Sequence, residues 1–329
     1  MPVKLYLKDR KILYELDLNS RQPLSAVAKK VGLSKQTTIN RVRRLEHEGA
    51  IQKYLAVIDL SRLGYSGYKV LLRFQSADND LRAELVGYVK AHSNVEFVSS
   101  TDGNFDLNFN IFAKNIEELD GYLREFNNRF GRFISERQMM PLIVGKFYPR
   151  ACLVVKKERE RAKMAHFGIR KEEAAMPGID AKDRAILKAL GQNARADVKG
   201  MANAVSLSPD AVRLRIRRLE SDGIIQQYAI VLGVGAVGRL NYKVLIRLEN
   251  LDDRKSKALE EYWSRHPNVW FSSRAIGPWD EEVNVDAASP AEFRVIMSEI
   301  KERFSGIIRD YSILAMYSID KLDFYPFGR

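Results

Sequence analysis

Ser34-Lys35-Gln36-Thr37-Thr38-Ile39-Asn40-Arg41-Val42-Arg43-Arg44-Leu45-Glu46 returns 174 positions later as Ser208-Pro209-Asp210-Ala211-Val212-Arg213-Leu214-Arg215-Ile216-Arg217-Arg218-Leu219-Glu220. Each copy reads as a helix with a serine placed to cap its start, and Gly49 and Gly223 stand where each helix should end. Pro209 falls at the first helical position, where a missing N–H costs nothing. Thr38, Val42 and Leu45, with Val212, Ile216 and Leu219, form one apolar stripe. Lys35, Gln36, Thr37, Asn40, Arg41 and Arg44 point elsewhere, and no acid occurs between Lys35 and Leu45.

The repeat extends outward in both directions. Asp9-Arg10 falls on Asp183-Arg184, Ile12-Leu13 on Ile186-Leu187, and Asn19 and Arg21 on Asn193 and Arg195; over positions 9–57, 21 of 49 pairs are identical, so the chain is a tandem duplication. Upstream of the basic helix, Ile12, Leu13 and Leu16 make one apolar stripe and Leu24, Val27, Ala28 and Val31 a second. A tight turn, Gly32-Leu33-Ser34, joins the second to the basic helix. Two helices joined this way, the second basic, make a helix-turn-helix. Ile51–Ile58 and Ile225–Leu232 read as strands, expected as a wing and exit strand. Beyond them the pattern is βαββαβ, with strands at Tyr68–Phe74, Val95–Thr101, Phe105–Phe112 and Phe133–Phe147 and helices at 78–91 and Ile116–Arg129. That order predicts a ferredoxin-like sandwich, repeated over 241–319.

The fold class is therefore α+β, two copies of a winged helix-turn-helix domain followed by a ferredoxin-like domain. The expected domains are 1–60, 61–148, a basic linker at 149–178, then 179–234 and 235–329. Charge follows this division. Of the net +12, residues 1–60 carry +6, 149–178 carry +4 and 179–234 carry +3, while the two ferredoxin-like segments carry 0 and −1. Segregated positive charge points to a polyanion partner, here double-stranded DNA. The linker's run Lys156–Lys163 is read as a solvated connector, with phosphate contact as the alternative.

Amide and guanidinium groups read base edges, and Lys and Arg neutralise phosphates. The candidate DNA-binding residues are Lys35, Gln36, Thr37, Asn40, Arg41 and Arg44, with Asp210, Arg213, Arg215 and Arg218 in the second copy. Asp210 accepts from cytosine N4 but repels phosphate, so an asymmetric operator is expected.

These pieces together resemble the leucine-responsive regulatory protein/AsnC (feast/famine) family of transcription regulators. The resemblance rests on Asp9-Arg10-Lys11-Ile12-Leu13, Gly32-Leu33-Ser34, Arg41–Glu46 and Gly49-Ala50-Ile51, with their second-half equivalents. It implies sequence-specific DNA binding, pairing of ferredoxin-like domains through their sheets, and an amino-acid effector near a Gly-x-x-Asp turn. Gly103 and Asp106, and Gly277 and Asp280, occupy that turn, which is also ordinary hairpin chemistry. Family members usually carry one copy and dimerise. Here two copies in one chain imply an intrachain pseudo-dimer, a homo-oligomer, or both.

The strand after each turn differs between copies. Asp280, Glu282, Asn284 and Asp286 form an acidic face, expected to be solvated or paired with basic side chains, with a bound cation or amino group as the alternative. His47, His92, His166 and His266 show no metal-ligand spacing, and His92 and His266 are expected to cap or pack. No phosphate loop or nucleophile elbow is present, so the chain is expected not to be an enzyme and to need no cofactor. Two other readings remain. Siroheme decarboxylases share this two-part architecture, which makes a tetrapyrrole enzyme one alternative; a metabolite sensor without DNA contact is the other. The lone Cys152 excludes an internal disulfide, no 20-residue apolar run suggests a membrane span, and the cytoplasm is expected.

Overall fold

The computed structural model describes residues 2–75, 79–154, 165–168 and 178–327. The expected solvated run Lys156–Lys163 lies outside them. The first copy opens with α1 (Leu7–Leu18), α2 (Leu24–Val31) and α3 (Lys35–His47), then β1 (Ile51–Ile58). Gly32 turns the chain between α2 and α3 at φ +66°, a left-handed conformation that suits glycine. Next come β2 (Ser66–Phe74), α4 (Asn79–Ala91), β3 (Val95–Asp102), β4 (Leu107–Ala113), α5 (Ile116–Phe130) and β5 (Ile134–Phe147). A short strand, β6 (Ala165–Gly168), pairs with the end of β5. The second copy repeats the plan as α6 (Ala181–Gln192), α7 (Val198–Ala204), α8 (Pro209–Ser221) and β7 (Ile225–Leu232). It closes with β8 (Leu240–Leu248), α9 (Asp253–Arg265), β9 (Val269–Ala275), β10 (Glu281–Ala287), α10 (Pro290–Arg303) and β11 (Ile308–Leu322).

The strands expected as wings do not form hairpins within their own units. Instead β1 and β7 pair with each other, antiparallel, with Leu55 opposite Ala229. Each strand thereby finishes the other unit's core. Leu55, Ala56 and Val57 pack with Ile186, Leu187 and Leu190, while Ile230 and Leu232 pack with Ile12, Leu13 and Leu16. A lone strand has no partner for its backbone groups, and the duplicate supplies one.

The ferredoxin-like halves fuse in the same reciprocal way. Each makes a four-stranded antiparallel sheet, ordered β3-β4-β2-β5 and β9-β10-β8-β11. The last strand of each is long enough to serve two sheets. β5 pairs with β2 up to Pro141 and then with β9 from Leu142; β11 pairs with β8 up to Met316 and then with β3 from Ala315. The sheets close into one eight-stranded antiparallel barrel, and closure removes their edges. On the outer faces, Val70, Leu72, Phe109 and Ile111 pack under α4 and α5, and Val244, Ile246, Val283 and Val285 under α9 and α10. The inner faces meet through Leu71, Phe105, Met140, Leu245, Trp279 and Leu314.

Candidate nucleic-acid interface

The helices α3 and α8 are built alike. The Thr37 N–H donates to Ser34 Oγ (3.1 Å) and the Ala211 N–H to Ser208 Oγ (3.2 Å), as the capping residues require. Thr38, Val42 and Leu45, and Val212, Ile216 and Leu219, are buried as the stripe predicts. Lys35, Gln36, Thr37, Asn40 and Arg43 face solvent on α3; Pro209, Asp210, Arg213, Leu214 and Arg217 do so on α8.

Arg41, Arg44, Arg215 and Arg218 have a more specific placement. Arg41 Nη1 and Arg44 Nη2 donate to the two oxygens of Asp9 (2.7 and 2.6 Å), which is fully buried on α1. Arg215 and Arg218 grip Asp183 in the same fashion, and Arg215 also reaches Asp180 at 2.8 Å. Burial opposes ionisation of Asp9. The Tyr6 N–H and the two guanidiniums outweigh it and hold the carboxyl below the usual range. The Asp183 N–H donates to Asp180, and with Arg215 it lowers that carboxyl to about 2. These arginines therefore lock each recognition helix to the first helix of its unit, leaving part of each guanidinium exposed. The paired Asp9-Arg10 and Asp183-Arg184 carried this signal in the sequence, but their role needs the fold to see.

The Gly-x-x-Asp turns sit on the seam between the copies. A Cβ on Gly103 would lie 2.7 Å from the Ile313 carbonyl oxygen, and one on Gly277 would lie 3.0 Å from Met140 Cγ. Asn104 Nδ2 donates to Ser312 Oγ (2.9 Å) and Trp279 Nε1 to Gln138 Oε1 (2.9 Å), both across the seam. Asp106 accepts from the Phe74 N–H (2.8 Å) and Arg82 (3.0 Å), and Asp280 from the Leu248 N–H (2.7 Å). His92 and His266 cap their loops, each accepting an N–H two residues on, from Asn94 and Asn268.

Glu282 and Asp286 of the acidic face are buried and paired with basic side chains rather than solvated. Lys69 and Lys243, equivalent residues of the two copies, both donate to Glu282 inside the barrel. Glu96 accepts from Asn110 Nδ2 (3.1 Å) nearby. Burial lowers the Lys69 ammonium to about 7 and raises the Glu96 carboxyl to about 7, and it lowers Lys243 too. The carboxylates are not equivalent by repeat, because Glu96 matches Trp270 and Glu282 matches Asn108. A void of about 20 Å³ remains among these residues, room for one water.

The comparisons with known proteins agree on one family. The AsnC-type helix-turn-helix domain is matched by residues 7–46 and by residues 179–220. The HTH-type transcriptional regulator FL11 of Pyrococcus horikoshii is 32% identical over 123 residues, 37% of this chain and 80% of that protein. The proline dehydrogenase transcriptional activator of Rhodobacter capsulatus is 33% identical over 145 residues, 43% of this chain and 92% of that one. The chain belongs to the AsnC-type helix-turn-helix family of transcription regulators. In fold, this AsnC-type regulator is similar to the crystal structure of the siroheme decarboxylase NirDL, which aligns over 98% of this chain and 94% of that one with a TM-score of 0.62 and 13% identity. No helix among the described residues of the regulator is long and apolar enough to cross a membrane.

One network of the AsnC-type regulator joins its DNA-binding and barrel parts. Arg150 is buried, donating from Nε to Asp286 (2.9 Å) on β10 and from its backbone N–H to Asp17 (2.8 Å) on α1. Its guanidinium lies 4.6 Å from the Trp270 ring centroid. The linker expected from residue 149 thus begins as packed structure, because a buried guanidinium needs its two carboxylates. The other copy has Gly191, Phe112 and Phe327 at these places, and Phe327 stacks on Tyr65 at 4.2 Å. An ion network on one side faces an apolar cluster on the other. Sequence reading missed it, since Asp17 and Arg150 are 133 residues apart.

Proposed function

We propose that one chain of this DNA-binding transcription regulator occupies a complete two-part operator by itself, with α3 and α8 in successive major grooves. The observation that carries this is the reciprocal strand pairing: each unit's core contains the other unit's strand, so the two recognition helices form one body. Lys35, Arg43 and Arg217 neutralise phosphates, Gln36, Thr37, Asn40, Asp210 and Arg213 meet base edges, and Arg41, Arg44, Arg215 and Arg218 position the helices while their exposed nitrogens face phosphate. The same reading makes this a cytoplasmic, non-catalytic role, which the DNA-binding relatives support.

An amino-acid effector is part of the same reading. Gly103 with Asp106, and Gly277 with Asp280, are the residues assigned to it, and their place on the seam supports the assignment, since a ligand there acts on how the copies pack. Thermal shift against the twenty amino acids tests this, with Asp106→Asn and Asp280→Asn as controls.

Fluorescence anisotropy with native upstream fragments at two salt concentrations tests the DNA reading. Tight binding with a steep salt slope, the slope falling by about one per phosphate contact in Lys35→Ala, Arg43→Ala and Arg217→Ala, is expected. A 1:1 chain-to-operator stoichiometry is expected from the closed barrel. The likeness in fold to a siroheme decarboxylase supplies the competing outcome: no DNA binding, and an absorbance change when siroheme is added.

A further inference from the structure

We infer that the two recognition helices read chemically different bases, with Gln36 and Asn40 specifying adenine on one half-site and Asp210 and Leu214 specifying cytosine and thymine on the other. The inference rests on the DNA-binding reading above and goes beyond it to the bases. Its basis is that α3 and α8 are the same length, carry the same serine cap and are pinned by the same aspartate–arginine grip. Residue 36 therefore sits on its helix where residue 210 sits, and 40 where 214 sits. Only the side-chain chemistry changes.

On α3 these positions hold two amides joined to each other, Gln36 Nε2 donating to Asn40 Oδ1 at 3.0 Å. A side-chain amide matches the N6 donor and N7 acceptor of adenine. On α8 the same places hold a carboxylate and an isobutyl group. Asp210 is exposed and accepts from Arg213 Nη1 at 2.5 Å. It accepts from cytosine N4 and disfavours guanine, whose groove edge offers only acceptors. Leu214 is 68% exposed on a face otherwise polar and charged. An apolar group so exposed on this face matches the C5 methyl of thymine. Pro209 in place of Lys35 also removes a phosphate contact from this half.

Selection from a random DNA library with the full chain tests the inference. Wild type should return an asymmetric motif, one half requiring adenine and the other cytosine and thymine. Asp210→Gln/Leu214→Asn should make the second half require adenine at those two positions, with a ten-fold or greater change in preference there. The reciprocal Gln36→Asp/Asn40→Leu should make the first half require cytosine and thymine at those two positions. All four positions are exposed, and unchanged circular dichroism will show that each variant folds. A palindrome from wild type, or motifs unmoved by both swaps, overturns the inference while leaving DNA binding intact. Absence of salt-dependent binding to any pool overturns the DNA reading itself, and this inference with it.

Discussion

Arg21 and Arg195 hold equivalent positions in the two copies, and each donates to a backbone carbonyl of the other unit. Arg21 Nη1 meets the Ala194 oxygen at 2.5 Å, and Arg195 Nη1 meets the Ser20 oxygen at 2.6 Å. The two guanidiniums also lie over Tyr228 and Tyr54, at 5.8 and 5.4 Å from the ring centroids. A charged donor on a part-buried carbonyl contributes more than a neutral bond does. The pair clasps the DNA-binding units at a set separation.

Removing the clasp should loosen that separation. Arg21→Ala/Arg195→Ala is expected to cost roughly 2–4 kcal/mol in urea unfolding. It should also reduce the discrimination between operators whose half-site spacing differs by two base pairs, read by anisotropy.

Asp9 orders α3 through two arginines. Asp9→Ala should lower stability by about 1–3 kcal/mol, a figure kept low because both guanidiniums are about a third exposed. DNA affinity should fall although Asp9 touches no DNA, as anisotropy with the native fragment will show.

Ser206 stands where the first copy has Gly32, at φ +52°. A left-handed serine is strained relative to glycine. Ser206→Gly is expected to stabilise the chain by about 0.5–1 kcal/mol, seen as a raised Tm.

Glu281 is buried on β10, where it accepts from Trp263 Nε1 (3.0 Å). Burial raises its carboxyl to about 7, against the smaller pull of Trp263, Arg274 and Lys146. The native state thus keeps a proton that the unfolded chain releases near 4.5. This contribution to stability is complete below pH 4.5 and falls away as pH rises to 7, by about 3 kcal/mol. Glu281→Gln keeps an acceptor for Trp263 without the charge. It should flatten this part of the slope and be more stable than wild type at pH 8, measured by urea unfolding across pH 4.5–8.

Arg150 bridges Asp17 and Asp286 in the buried network, and Arg239 also lies against Asp286. Arg150→Ala leaves both carboxylates without it and should cost about 3–5 kcal/mol. Adding Asp17→Asn and Asp286→Asn should recover part of that loss in the same unfolding assay.

Local pattern made much of this protein readable. The apolar stripe of α3, its serine cap and the left-handed Gly32 depend on neighbours a few residues apart, and all stand where the sequence places them. The βαββαβ order was equally legible, because alternation and helical spacing are local signals. The recognition-helix arginines were read by residue type alone, and their attachment to Asp9 and Asp183 was not visible at that level.

By itself the sequence determined the duplication, the elements within each copy and the family, since these follow from short-range spacing repeated at a constant offset. The tertiary structure decided which copy completes which. That β1 pairs with β7, that β5 and β11 each serve two sheets, and that Glu282 of β10 meets Lys69 of the other copy inside a closed barrel depend on contacts between residues more than about 120 positions apart. No local periodicity encodes such contacts, because pairing partners are chosen by the burial and hydrogen bonding of whole faces.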